Sequence, residues 1–168
     1  MDWETAHKGV PWGILILFGG GFALARGFEV SGLSAWVGQR LSGLQGAPPW
    51  ALVIGITMTM EGLTELTSNT ATTTTLLPIL AALARSIEVN PLLLMIPGTI
   101  GASLAFMLPV ATPPNAIVFG TGRVTIAQMI KAGIFMNIIG LALIMIFMFL
   151  VAVPVLDISL TEFPDWAR

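Results

Sequence analysis

Residues 64–75 hold a carboxyl, an amide and eight hydroxyl groups within twelve positions, so this is where the chain could bind a ligand. The segment reads Thr-Glu-Leu-Thr-Ser-Asn-Thr-Ala-Thr-Thr-Thr-Thr, and the sequence on both sides is apolar. A polar group in hydrocarbon costs several kcal/mol unless it is paired. The segment therefore indicates a binding site if it lies at membrane depth. The alternative is a loop outside the membrane.

A second candidate site is the string Pro109-Val110-Ala111-Thr112-Pro113-Pro114-Asn115, which cannot stay α-helical because its prolines supply no N–H and disfavour helix before them. A helix that stops and restarts offers N–H groups to an anion and unwound carbonyls to a cation. Neither 41–84 nor 86–122 contains Lys or Arg. A bound anion would therefore depend on hydroxyls, amides, helix dipoles and a co-bound cation, which is the thermodynamic basis of symport.

Composition predicts an all-α integral membrane protein. The 168 residues are 55% hydrophobic and 10% charged, whereas soluble domains carry about 25% charged residues. The net charge of −2 argues against a nucleic-acid partner. The absence of cysteine excludes thiolate chemistry, and a single histidine, His7, argues against a zinc or iron site. Nothing resembles a nucleophile–base pair, so we do not expect an enzyme. The acidic, polar N-terminus is not a signal peptide.

The hydropathy pattern places the elements that would position these groups in a single membrane domain, 1–168. They are a transmembrane helix at 9–26, an interfacial helix at 29–45, a re-entrant hairpin at 49–86 with its tip at 67–70, a broken helix at 91–120 with its break at 109–115, and a transmembrane helix at 133–155. The apolar arms of the hairpin are each too short to cross a core of about 30 Å. One long helix through the polar segment is the alternative.

Two further features complete the pattern. Gly19-Gly20-Gly21 predicts close approach of another backbone. Arg123 and Lys131 precede the last span and the tail is acidic, which predicts a cytoplasmic 121–132 segment and a C-terminus outside a plasma or inner membrane.

Three motifs resemble the divalent anion:sodium symporters, the sodium/dicarboxylate cotransporter family. Leu63–Ala71, with its Ser-Asn-Thr core, resembles the family's hairpin tip, and Ala105–Phe119 resembles its broken helix. Pro11–Gly21 matches the start of the hairpin region in the C-terminal repeat. The resemblance runs from about residue 9 to 153. It implies the C-terminal inverted repeat of an elevator-type transporter with a re-entrant hairpin and a discontinuous helix.

The same resemblance implies a site. Sodium would be held by oxygens of Thr64, Thr67, Asn69 and Ala111, and substrate would meet Asn69, Thr70, Thr112 and Pro113. Further candidates are Ser68, Asn115 and Glu65, although for Glu65 we favour a structural hydrogen bond near the tip. Glu61 is expected to line an aqueous cavity, and Asn137 to bond a neighbouring helix.

The function implied is symport of a di- or tricarboxylate, or another divalent anion, with co-transported Na⁺. Only one Ser-Asn-Thr occurs here, so the N-terminal repeat and its half of the site are expected on another stretch of polypeptide. Two alternatives stay open: a truncated or split-gene membrane fragment that is inactive without that repeat, and a Na⁺-independent exchanger of the same family. We expect the full-length protein to be a homodimer.

Overall fold

The computed structural model describes residues 2–9, 12–33, 36, 40, 42–44, 46–160 and 162–167, and the regular structure within these ranges is entirely helical. The prediction of an all-α chain is confirmed. The helices are α1 (Trp3–Gly9), α2 (Trp12–Val30), α3 (Pro49–Thr64), α4 (Asn69–Ser86), α5 (Leu92–Gly101), α6 (Pro113–Gly120) and α7 (Ile126–Phe147). A π-helical turn, Met148–Ala152, and a last turn, Val153–Val155, extend α7; 3₁₀ turns occupy Ser42–Leu44 and Asp165–Ala167.

The polar segment contains a turn and is not one continuous helix. Helix α3 ends at Thr64 and α4 begins at Asn69, with residues 65–68 between them. Ser68 is the N-cap of α4, and its Oγ accepts a hydrogen bond from the backbone N–H of Ala71 at 3.1 Å. Serine at this position satisfies one of the N–H groups that a helix start leaves free. The candidate ligands thus lie around a helix N-terminus.

Two apolar clusters hold the helices around this turn. The first joins α3, α4 and α5 through Leu52, Met60, Leu80, Leu83, Ala84, Ile87, Leu94 and Ala102. The second joins α3, α5 and α7 through Val53, Leu93, Ile144, Met148, Ala152 and Ile158. Helix α3 contributes to both, so it is the central element of this part of the chain.

Helix α2 packs on α4 where the glycine run meets the threonine run. A Cβ built on Gly21 would lie 3.1 Å from the carbonyl oxygen of Thr74. That carbonyl lacks its usual helical donor because residue 78 is proline. The close approach expected of the glycines therefore occurs at Gly21. Helix α2 runs on to Val30, beyond the expected end at 26, and much of the interfacial helix predicted at 29–45 lies outside the described residues.

The interruption of the broken helix begins earlier than the prolines indicate. The expected break was 109–115, but α5 ends at Gly101 and α6 starts at Pro113. The intervening residues form the unwound segment, 102–112. Backbone N–H groups within it bond to the side chain of Glu65, so they are not available to an α-helix. This long-range contact explains why the helix stops before its prolines.

Helix α7 starts at Ile126, earlier than the expected 133, because Thr125 and Gln128 form a capping box. Together with its extension it forms Ile126–Val155, the one helix among the described residues that is long and apolar enough to cross a membrane by length and composition.

Candidate functional site

Glu65 fastens the turn after α3 to the unwound segment. Its Oε1 accepts hydrogen bonds from the backbone N–H groups of Phe106 at 2.8 Å and Met107 at 2.9 Å, and its Oε2 accepts one from Leu108 at 2.9 Å. The residue is 2% exposed. Three donors converging on one carboxylate compensate much of the cost of burying it. These hydrogen bonds give Glu65 a structural role, fastening the unwound segment, which is the kind of role favoured for it from the sequence.

Thr64, the neighbour of Glu65, lies within a cluster of oxygen atoms. Its Oγ1 is 2.7 Å from Asn69 Oδ1 and 2.7 Å from the carbonyl oxygen of Ala102, and the residue is fully buried. A hydroxyl has one proton and can donate to only one of these acceptors at a time. The cluster, defined here as these three oxygens, is therefore short of protons, and oxygen-only surroundings of this kind suit a hard cation.

The other residues of the turn have different partners. Thr67 Oγ1 donates to the Leu63 carbonyl at 2.9 Å and shares a short hydrogen bond with Thr72. The side chains of Thr67, Ser68 and Thr70 are exposed. The structure therefore brings Thr64 together with Asn69. The hydroxyl of Thr67 instead bonds to Leu63 at the end of α3 and to Thr72 near the start of α4.

A second helix N-terminus faces the unwound segment. Thr112 is the N-cap of α6, with its Oγ1 3.5 Å from the N–H of Asn115. The amide of Asn115 donates in turn to the carbonyls of Ala105 at 2.8 Å and Leu108 at 3.0 Å. Because α6 has these local restraints, its N-terminus keeps a fixed orientation relative to the unwound segment.

The two helix N-termini are linked through the unwound segment. Hydrogen bonds among the described residues connect Thr64 with Asn69 and Thr112 with Asn115, but none of them joins the two pairs directly. Ala111 is buried and Pro113 is exposed, and neither has a side-chain hydrogen bond to offer. The unwound segment thus bonds to Thr64 and Glu65 on one side and to Asn115 on the other.

Close packing of α7 against its backbone also holds the unwound segment in place. A Cβ on Gly133 of α7 would lie 2.6 Å from Met107 Cα and 2.7 Å from the carbonyl carbon of Phe106. Only glycine lets the two backbones come this close. Gly133 therefore acts with Glu65 to hold residues 106–107 in place.

Three residues of interest escaped or were underrated in the sequence. The Ala102 carbonyl has no signal in the sequence, because any residue carries one. Glu61 and Asn137 are buried acceptors that line one cavity. The spacing of Glu61 one turn before Glu65 hinted at a shared face, and Asn137 stood out as the strongly polar side chain in an apolar helix.

Most of the chain matches one known protein family. Residues 1–156 match the family described as the sodium:sulfate symporter transmembrane region. The chain belongs to this family. The resemblance inferred from the hairpin tip and broken helix is thereby confirmed, and the chain is an integral membrane protein.

Curated relatives extend the match to nearly all or all of this chain. It is 49% identical over 162 residues to the sodium-dependent dicarboxylate transporter SdcS of Staphylococcus saprophyticus, covering 96% of this chain and 31% of the relative. It is 51% identical over 168 residues to solute carrier family 13 member 2 of Oryctolagus cuniculus, and 48% identical over 168 residues to Na(+)/dicarboxylate cotransporter 3 of Mus musculus; each match covers 100% of this chain and 28% of the relative. The chain thus spans less than a third of the length of these relatives.

Proposed function

We propose that this chain is the C-terminal repeat of a secondary transporter, not an enzyme. The complete transporter would move a di- or tricarboxylate, or another divalent anion, together with Na⁺. The oxygen cluster at Thr64 carries this proposal, because it gives a cation three oxygens from three different stretches of chain. The names of the relatives, which describe sodium-dependent dicarboxylate transport, support the same substrates.

Charge explains why the two substrates would bind together. The site region, from residue 41 to 84 and from 86 to 122, contains no Lys or Arg. A carboxylate near Asn69, Thr70, Thr112 and Pro113 would meet hydroxyls and two helix N-termini, whose N–H groups and dipoles favour anions. A Na⁺ held at Thr64 and Asn69 in the oxygen cluster, with Thr67 and Ala111 as the further ligands that the family resemblance implies, would supply the missing positive charge, so each ion strengthens binding of the other.

We further propose that the turn at 65–68 is the tip of a re-entrant hairpin and that the repeat moves as an elevator within a homodimer. The short apolar arms of α3 and α4 support the hairpin. Arg85 Nη2 donates to the Ala167 carbonyl at 3.3 Å, which brings the C-terminal end of α4 and the acidic tail to the same end of the protein. This agrees with an outside assignment for both.

Succinate uptake into proteoliposomes tests the proposal, with Na⁺ replaced by choline as the reference. The chain would be reconstituted alone and with the N-terminal repeat, and we expect Na⁺-dependent uptake only with both. Uptake by this chain alone that is lost in Asn69→Ala would contradict the need for a second repeat. Uptake that ignores Na⁺ would point to the exchanger.

A matched pair of variants tests the oxygen cluster itself. Thr64→Val removes the hydroxyl that bonds Asn69 or Ala102, whereas Thr59→Val removes one on the same helix that bonds only its own Gly55 carbonyl. We expect the half-saturating Na⁺ concentration to rise in Thr64→Val and to stay unchanged in Thr59→Val. Equal Na⁺ dependence in the two variants would exclude the cluster as a sodium site.

A further inference from the structure

Glu61 and Asn137 meet at a cavity that the proposed sodium and carboxylate sites do not use. Glu61 on α3 is 6% exposed and Asn137 on α7 is 8% exposed. Glu61 Oε1 and Asn137 Oδ1 are both buried and receive no hydrogen bond from any residue that the structure describes. The two side chains line the same cavity of about 230 Å³ between α3 and α7.

The other described residues of the cavity wall carry no charge. Its other lining residues are Met58, Gly62, Met107, Ile134, Ile138 and Leu141. The nearest basic residue along α7 is Lys131, which is exposed and points about 120° away from Asn137 around the helix. Neither α7 nor the unwound segment brings a titratable side chain to this cavity, and from α3 the other acid is Glu65.

The two acids of α3 have opposite surroundings. Three backbone N–H groups compensate the carboxylate of Glu65, whereas the buried oxygen of Glu61 has no donor within the described structure. A buried carboxylate without donors or a counter-charge is strongly disfavoured. Glu65, one turn along the same face, adds a second negative charge nearby. The cavity therefore requires a positive charge that none of the described residues supplies.

We propose that Glu61 and Asn137 form a second cation site, which binds a proton or Na⁺. A proton on Glu61 donated to Asn137 Oδ1 would satisfy both oxygens, and Na⁺ would take both as ligands. The carbonyl of an amide opposite a carboxylate serves either ion, because both need an oxygen lone pair. The inference deepens the proposed transport function by adding a coupling ion to it.

The position of the cavity connects this ion to the candidate substrate site. Met107 lines the cavity and donates its N–H to Glu65. Gly133, one turn before Asn137 on α7, contacts the same residue. Loss of the ion would leave Glu61 charged and repelled by Glu65 at the point where the unwound segment is fastened. Occupancy of the cavity is therefore expected to favour one arrangement of that segment.

Direct binding measurements test the site without relying on transport. The chain in lipid would be titrated with acid in choline buffer while infrared spectroscopy follows the carboxylic-acid band, and with NaCl while the thermal unfolding midpoint is recorded. A titrating band that disappears in Glu61→Gln and shifts in Asn137→Leu would identify a proton. A Na⁺-dependent rise of the midpoint that is lost in Glu61→Gln but kept in Thr64→Val would identify sodium.

Two further variants make the result decisive. Asn137→Asp, which adds an acid without changing size, is expected to lower the half-saturating cation concentration, and Glu61→Gln to raise it by about tenfold or more. Glu88→Gln, which alters an exposed acid, should behave as wild type. If Glu61→Gln and Asn137→Asp both titrate like Glu88→Gln, the site is refuted.

Uptake measurements separate this inference from the proposed function. Na⁺-dependent succinate uptake with unaltered ion titration in Glu61→Gln would overturn the second site and leave the transporter intact. Absence of uptake, combined with a cation titration that depends on Glu61, would overturn the transport proposal and leave the site.

Discussion

Replacing Glu65 by glutamine should release the unwound segment from the turn after α3. The carboxylate accepts three backbone hydrogen bonds, two at Oε1 and one at Oε2, from residues that are 41 to 43 positions away in sequence. Glutamine retains one oxygen but presents an NH₂ group at the other position. That NH₂ group would face the Leu108 N–H, so a donor would meet a donor.

The size of the effect follows from these bonds. A hydrogen bond to a charged group contributes about 1.5–3 kcal/mol and a neutral one about 0.5–1.5 kcal/mol, and a buried unpaired N–H costs about 1–3 kcal/mol. Two weakened bonds and one unpaired N–H would cost about 3–6 kcal/mol. Because a neutral amide is less costly to bury than a carboxylate, we expect a net loss of about 2–4 kcal/mol.

Hydrogen exchange gives the local readout and thermal unfolding the global one. In Glu65→Gln, the amides of Phe106, Met107 and Leu108 should exchange faster, the unfolding midpoint in detergent should fall, and Na⁺-dependent uptake should be lost. Glu88→Gln makes the same chemical change at an exposed side chain and serves as the control. If the three amides exchange equally in both variants, the carboxylate does not hold the segment.

Three further predictions use the same measurements. Gly133→Ala should lower the free energy of unfolding by about 1–3 kcal/mol through overpacking and abolish uptake, because its Cβ would lie 2.6 Å from backbone. Gly140→Ala, seven residues later, would meet a flexible leucine side chain and should destabilise the protein less. Equal destabilisation by the two variants would contradict a role for close backbone packing at Gly133. Gly21→Ala should lower the unfolding midpoint while Gly20→Ala, with nothing described within 4 Å of its Cβ, should raise it through helix propensity; a rise in both would exclude close packing of α2 on α4. Asn115→Ala removes two amide hydrogen bonds and should cost about 2 kcal/mol, and an unchanged midpoint would show that these bonds do not restrain α6.

Much of the fold was predictable because its causes are local. Proline supplies no N–H and disfavours helix before it, so Pro113 and Pro114 predicted an interruption at 109–115, and a helix restarts at Pro113 within that range. The start of α4 also has a local cause inside the tip predicted at 67–70, since the Ser68 hydroxyl caps the N–H three residues ahead. The start of the break at 102 was not predictable, because it depends on the distant Glu65.

For the candidate site, too, some features follow from the sequence and others from the tertiary structure. By itself, the sequence determined which groups are present: the polar stretch at 64–75, the absence of basic residues around it, and the two interruptions of helix. Tertiary structure decided how they pair, bringing Thr64 to the Ala102 carbonyl, Glu65 to three N–H groups, and Glu61 to the same cavity as Asn137. The physical reason is that donors and acceptors belong to residue types, whereas their partners depend on how close packing of α3, α5 and α7 places them.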